Sequence, residues 1–183
     1  MLVVGLGNFE EKYKNTRHNI GRDSVFYCAE KFCDSKWVSD KYIKGTYKEC
    51  GNTIFFLPDT FMNSSYEAVY AALEFFSFTS QEMIVVHDEL DLNFGDIKIV
   101  FNKGSAGHNG VEGIINKIGS KFARIRIGIK NDSFTKENKA DFVLNKFNSK
   151  EKEDINILYD KVCKTIDMIL KEGLHKAMTY INK

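Results

Sequence analysis

The residue best suited to acid–base chemistry near neutral pH is His18, within Thr16-Arg17-His18-Asn19-Ile20-Gly21, a polar loop leading into a helical pattern. A neutral imidazole can take a proton at pH 7, provided a carboxylate fixes its tautomer and supports the charged form. Without such a partner a lone loop histidine is an exposed bystander. Asp88 is the candidate partner. It stands in His87-Asp88-Glu89-Leu90-Asp91, directly after the apolar run Met83-Ile84-Val85-Val86. That run has the length of a buried strand, and α/β sheets present their ligand sites at the carboxyl ends of such strands. The same acids permit two other readings, a divalent-metal cluster or a solvated acidic loop. Adjacent residues of an extended chain point opposite ways, so only Asp88 and one neighbour could share a metal.

Two glycine-rich segments flank this chemistry. Gly5-Leu6-Gly7-Asn8 follows an apolar run but has Glu10 where a dinucleotide-binding turn needs its third glycine. It reads better as a strand-end turn that presents Asn8, or one that Asn8 merely closes with a local hydrogen bond. Lys103-Gly104-Ser105-Ala106-Gly107-His108-Asn109-Gly110 enters a helix without the Gly-Lys-Ser/Thr ending of a nucleotide loop. It offers close backbone approach and the amide of Asn109, or is simply a flexible loop. From Lys98 to Lys130 the chain carries Lys98, Lys103, Lys117, Lys121, Arg124, Arg126 and Lys130 against Glu112 alone. A net charge of +1 excludes a uniformly basic RNA binder, so any RNA-binding surface must come from such local segregation.

The elements that would position these groups alternate between strand and helix. Leu2 to Gly5 predicts a first strand, Asp23 to Cys33 a helix, and Thr46 to Leu57 a hairpin turning at Gly51-Asn52. Ser65 to Phe76 predicts a second helix, Asp96 to Phe101 a strand, and Gly110 to Ile118 a short helix. Phe122 to Ile129 alternates Arg124 and Arg126 with Ile125 and Ile127, a strand with one apolar and one cationic face. Glu151 to Lys171 carries an apolar stripe from Ile155 to Leu170, and Leu174 to Ile181 extends it or forms a last helix. Hydrophobic residues at 43% and charged residues at 28% give globular composition, with no linker or repeat. The expectation is an α/β fold, one domain over residues 1–183, a twisted mixed β-sheet surrounded by helices. No signal-like or membrane-length apolar stretch is seen, so a cytoplasmic protein is expected, with Cys28, Cys33, Cys50 and Cys163 reduced and mostly buried.

Taken in order, GLGN, TRHNIG, FMNS, HDELD, GHNG and RIRIGI resemble the bacterial-type peptidyl-tRNA hydrolase family over Leu2 to about Ile129, with a looser echo near Gly173 to Asn182. The resemblance implies hydrolysis of the ester joining peptide to tRNA, without metal or organic cofactor, by a monomer needing no protein partner or membrane. It implies that His18 is the general base, Asp88 its orienting partner and Asn8 a catalytic amide. Asn63 and Asn109, with Tyr13, Phe61 and His108, would bind substrate, and Arg126, with Lys98 or Lys103, would hold the tRNA. The family's second clamp lysine aligns with Val100 here, and Phe9, Glu10 and Tyr66 replace its usual turn residues. The competing classes are a non-catalytic RNA-binding relative and a metal-dependent esterase or phosphatase built on the HDELD acids.

Overall fold

A computed structural model of the protein describes all of residues 1–183. One seven-stranded sheet forms its centre: β1 (Leu2–Gly5), β2 (Val38–Asp40), β3 (Gly45–Cys50), β4 (Thr53–Pro58), β5 (Met83–Asn93), β6 (Ile97–Phe101) and β7 (Ala123–Lys130). The strand order is β2-β3-β4-β1-β5-β7-β6. The inner pairs β4-β1, β1-β5 and β5-β7 are parallel, whereas β2-β3, β3-β4 and β6-β7 are antiparallel. The expected mixed sheet is therefore observed.

Helices cover both faces, as buried parallel strands require. On one face α1 (Ile20–Phe32), α5 (Ser149–Glu172) and α6 (Leu174–Ile181) bury Val3, Ile84, Val86, Ile125 and Ile127. On the other, α2 (Ser65–Phe75) and α3 (Asn109–Ile118) bury Leu2, Val4, Phe56 and Val85. The alternation Leu2, Val3, Val4 across these two cores follows directly from the two-residue period of a strand. A short α4 (Lys139–Leu144) lies beside the Arg17–Asn19 turn. No helix is long and apolar enough to cross a membrane.

Local chemistry fixes the element ends. Asn148 accepts the Glu151 N–H at 2.9 Å while the Glu151 carboxylate accepts the Asn148 N–H at 2.8 Å, a capping box starting α5. The β3-β4 hairpin turns at Gly51, whose φ of 60° lies in the left-handed region. The Asn182 amide donates to Ile99 O at 2.7 Å and accepts its N–H at 2.8 Å, so the end of the chain pairs the edge of β6.

Several expectations are corrected. β5 does not stop at Val86 but continues through the acidic residues to Asn93, with an irregular register against β7 after Glu89. The cationic face of β7 is largely covered, because Arg124 is buried and donates to Lys103 O at 2.9 Å and Gly104 O at 2.8 Å. Its work is to hold the glycine-rich loop. The cysteines are paired, not reduced: Cys28 with Cys163 joins α1 to α5, and Cys33 with Cys50 joins the end of α1 to β3. Partners 135 and 17 residues apart meet only through tertiary packing, which spacing cannot reveal.

Candidate active site

The site forms where the parallel strands run out. β1 ends at Gly5, opposite Val86, so His87 and Asp88 continue along β5 with one flank uncovered. Open α/β sheets bind ligands at such strand ends. Two segments fill the gap from opposite faces. The Arg17–Asn19 turn comes from the α1 side and His108, the N-cap of α3, from the other.

The α1 approach is close because residue 21 is glycine. A Cβ there would lie 2.3 Å from Val86 O and 2.9 Å from Leu6 O, inside van der Waals contact with two strand ends. The Arg22 N–H then donates to Leu6 O at 2.8 Å, and Leu6 N–H to Val86 O at 3.0 Å, tying the helix start to both strands. From below, Arg17 is held in a buried ion pair with Glu151 at 2.8 Å, its guanidinium 4.6 Å from the Phe142 ring and 4.9 Å from the Phe147 ring. Glu151 also accepts the Asn131 amide at 2.7 Å. His18 thus rides on a turn fixed at both ends.

His18 Nδ1 and His108 Nε2 each lie 2.9 Å from the same Asp88 oxygen, Oδ1. Hydrogen-bond partners assign the tautomers. His108 Nδ1 accepts the Val111 N–H at 3.2 Å, so its proton is on Nε2 and is donated to Asp88. His18 Nδ1–H donates to the same carboxylate, which leaves the lone pair of Nε2 free. His87 is neutral and structural: its Nδ1–H donates to Asp88 O at 2.7 Å, and complete burial holds its pKa well below the ordinary value. Burial alone would raise the Asp88 carboxyl, but the His18 and His108 imidazoles outweigh it and hold it far below the usual range. For His18 burial works against the charged form, yet the Asp88 charge and hydrogen bond prevail and raise its pKa above 6.5, with Lys139 opposing weakly.

His18, Asp88 and His108 are also the set of metal-type donors that lie close together, their ligand atoms within 4.8 Å. Each imidazole already directs one ring nitrogen to the same Asp88 oxygen at 2.9 Å, so these atoms satisfy one another by hydrogen bonding. The HDELD acids themselves diverge: Glu89 accepts Arg126 Nε at 2.7 Å, and Asp91 is exposed.

Asn8 is oriented as firmly. Its backbone N–H donates to Asn19 Oδ1 at 2.8 Å, and Asn19 Nδ2 donates back to Asn8 O at 2.9 Å. Its side-chain Oδ1 accepts the Met62 N–H at 2.9 Å, so Nδ2 is left to donate outward. A Cβ on Gly110 would lie 2.5 Å from Met62 Sδ, so that glycine lets α3 press onto the turn that carries Asn63. Asn109 lines a cavity of about 440 Å³ together with His18, Asp88 and His108. Asn63 and Phe61 are exposed, and Phe61 packs edge-on against Phe9 at 5.3 Å. Tyr13 is half-buried beneath the Lys12 ammonium, 4.9 Å from its ring.

The three cations expected to hold RNA lie apart from one another in their bonding. Arg126 is half-buried on Glu89, Lys98 opposes it across the β6-β7 pair but donates to Asn182 O at 2.9 Å, and Lys103 is exposed. Sequence reasoning missed Asn19, although it adjoins His18 in the same motif. It also missed Lys136 and Lys139, exposed cations on the cavity rim, because one lies in an irregular segment and the other begins α4, which is too short to show a period.

Known proteins match this chain along its length. The sequence model of the peptidyl-tRNA hydrolase family covers residues 2–183. The chain belongs to the peptidyl-tRNA hydrolase family. Peptidyl-tRNA hydrolase of Sulfurovum sp. (strain NBC37-1) is 35% identical over 182 residues, 98% of this chain and 94% of that protein. The Fusobacterium nucleatum peptidyl-tRNA hydrolase is 38% identical over 193 residues, 100% of this chain and 96% of that one. The crystal structure of peptidyl-tRNA hydrolase from Acinetobacter baumannii superposes with a TM-score of 0.89 at 32% identity, covering 99% of this chain and 93% of that one. As a member of the peptidyl-tRNA hydrolases the chain is an ester-bond hydrolase.

Proposed function

We propose that the protein hydrolyses the ester between peptide and tRNA, with His18 as general base. The observation that carries the mechanism is the shared Asp88 oxygen, which accepts a hydrogen bond from each imidazole and leaves His18 Nε2 free. In this reading Nε2 removes a proton from water as the oxygen attacks the ester carbonyl. Asp88 stabilises the resulting imidazolium and His108 keeps Asp88 in place. Collapse of the tetrahedral intermediate breaks the bond to the ribose oxygen, which takes the proton back from His18. Asn8 Nδ2 and the Asn109 amide supply donors for the developing oxyanion and the peptide carbonyls. Asn63, Phe61 and Tyr13 complete the peptide side.

Recognition by amides that pair with a peptide group accounts for sparing of unblocked aminoacyl-tRNA, whose free amine offers no such group. Purified protein in EDTA is expected to release N-acetyl-aminoacyl groups from tRNA and to leave the unacetylated ester intact. Loss of that activity in EDTA would favour the metal-dependent reading, and tRNA binding without cleavage would favour a non-catalytic relative.

For the tRNA we propose Arg126 with Lys103, aided by the rim lysines Lys136 and Lys139. Lys98 is engaged by a backbone carbonyl and contributes less. Arg126→Ala is then expected to weaken tRNA binding without changing kcat, and to reduce the slope of log affinity against log salt by about 0.7–0.9. Equal slopes for the variant and the wild type would remove Arg126 from the phosphate contacts.

A further inference from the structure

A second cavity, of about 540 Å³, opens at Asn8 and shares no lining residue with the cavity at His18. Its walls include Phe9, Phe26, Trp37 and Tyr159, and Asp23 lies among them. Phe26 and Trp37 stack with ring centroids 5.3 Å apart and planes within 10°, and Phe26 is 48% exposed. An aromatic pair left this open offers a face to a ligand.

The charges of the cavity are unevenly satisfied. Glu10 pairs with Lys12, Glu11 with Lys14, and Arg22 with Asp59. Asp23 has no cationic side chain within salt-bridge distance and accepts only the Asn15 N–H, at 3.2 Å. Burial pushes its carboxyl up to about 6, against the opposing pull of Arg22 and Lys14 on the same wall, whose own ion pairs are made with Asp59 and Glu11. Such a group favours an incoming cation.

Position links the cavity to the reaction. Asn19 grips the backbone of Asn8 through two hydrogen bonds, and Asp23 stands four residues further along α1. Four residues of helix rise about 6 Å. Two residues of extended peptide span about 7 Å. A peptide whose carbonyl groups meet Asn8 and whose chain runs along α1 would bring the side chain two residues before the esterified one to this cavity.

We propose that this cavity is a peptide subsite for a lysine or arginine side chain at that position, paired by Asp23 and covered by the Phe26–Trp37 stack. The stack receives both the alkyl stem and the cation, as aromatic faces do. The assignment rests on the peptidyl-tRNA reading above.

The test is hydrolysis of N-acetyl-tripeptidyl-tRNAs that end in Ala-Ala and begin with lysine, norleucine or glutamate. Wild-type protein is expected to show kcat/KM for lysine about tenfold above norleucine, as for a charge-assisted contact, with glutamate lowest. In Asp23→Asn the lysine-to-norleucine ratio is expected to fall to near one. In Trp37→Leu it is expected to fall part-way. Each ratio is internal to one protein, so a general loss of activity or folded fraction cannot imitate the result. A wild-type ratio near one, or a ratio that survives Asp23→Asn, overturns the subsite while leaving the hydrolase reading standing. Failure to cleave any of the three substrates overturns both.

Discussion

His18→Ala is expected to lower kcat for N-acetyl-aminoacyl-tRNA by about 10²–10⁴, the usual contribution of a positioned base. A loss of 10³ corresponds to about 4 kcal/mol of transition-state stabilisation. The affinity for tRNA should change little, because the RNA contacts proposed lie on Arg126 and the rim lysines. The imidazole is only 14% exposed, and its Nδ1 is committed to Asp88, so a single nitrogen remains to face water. Asn8 and Asn109 stay in place in the variant and should sustain residual cleavage. Single-turnover kinetics beside tRNA binding would separate the two effects. A variant that keeps kcat within a few-fold would show that another group activates the water.

The largest expected effect on stability lies one residue earlier. Arg17→Ala is expected to cost about 3–5 kcal/mol, because it strands the Glu151 carboxylate in a buried position. Both side chains of the pair are at most 6% exposed. The change also removes the cation between the Phe142 and Phe147 rings. Urea denaturation would measure it. Adding Glu151→Gln should recover part of the loss, since the amide oxygen still caps α5 without burying a charge. A cost below about 1 kcal/mol for Arg17→Ala would show that the pair is not a structural anchor and that the His18 turn is held by α4 and the strand ends instead.

The legibility of the sequence differs sharply between residue types and their arrangement. β1, the β3-β4 hairpin, α2 and the long α5 are visible because an apolar run, a Gly-Asn turn or a sustained apolar stripe is present locally. β2 and α4, of three and six residues, are too short to show any period. Asp88 was expected after a strand and sits inside one, because the polar residues of β5 lie beyond the end of β1, where the sheet no longer needs apolar side chains. The sequence supplied His18, Asp88 and Asn8 as separate candidates. Only the fold shows that His108, 20 residues from Asp88, shares its oxygen with His18 from the opposite face. Arg124 and Arg126 read alike along the chain, yet one is buried on a loop backbone and the other on Glu89. The four cysteines meet across α1, α5 and β3, contacts that no local signal encodes.

The role given to the His18–Asp88 pair is tested most directly by the pH dependence of kcat/KM in wild type and Asp88→Asn. A base must be unprotonated, so activity is lost as pH falls through the folded-state pKa of His18. Since the Asp88 charge raises that pKa, the wild-type acid limb should lie higher than that of an ordinary imidazole. Asp88→Asn removes the charge, so the limb should move to lower pH while the plateau falls. An acid limb that stays in place, or is absent between pH 5 and 8, would contradict the assignment of His18 as the base tuned by Asp88.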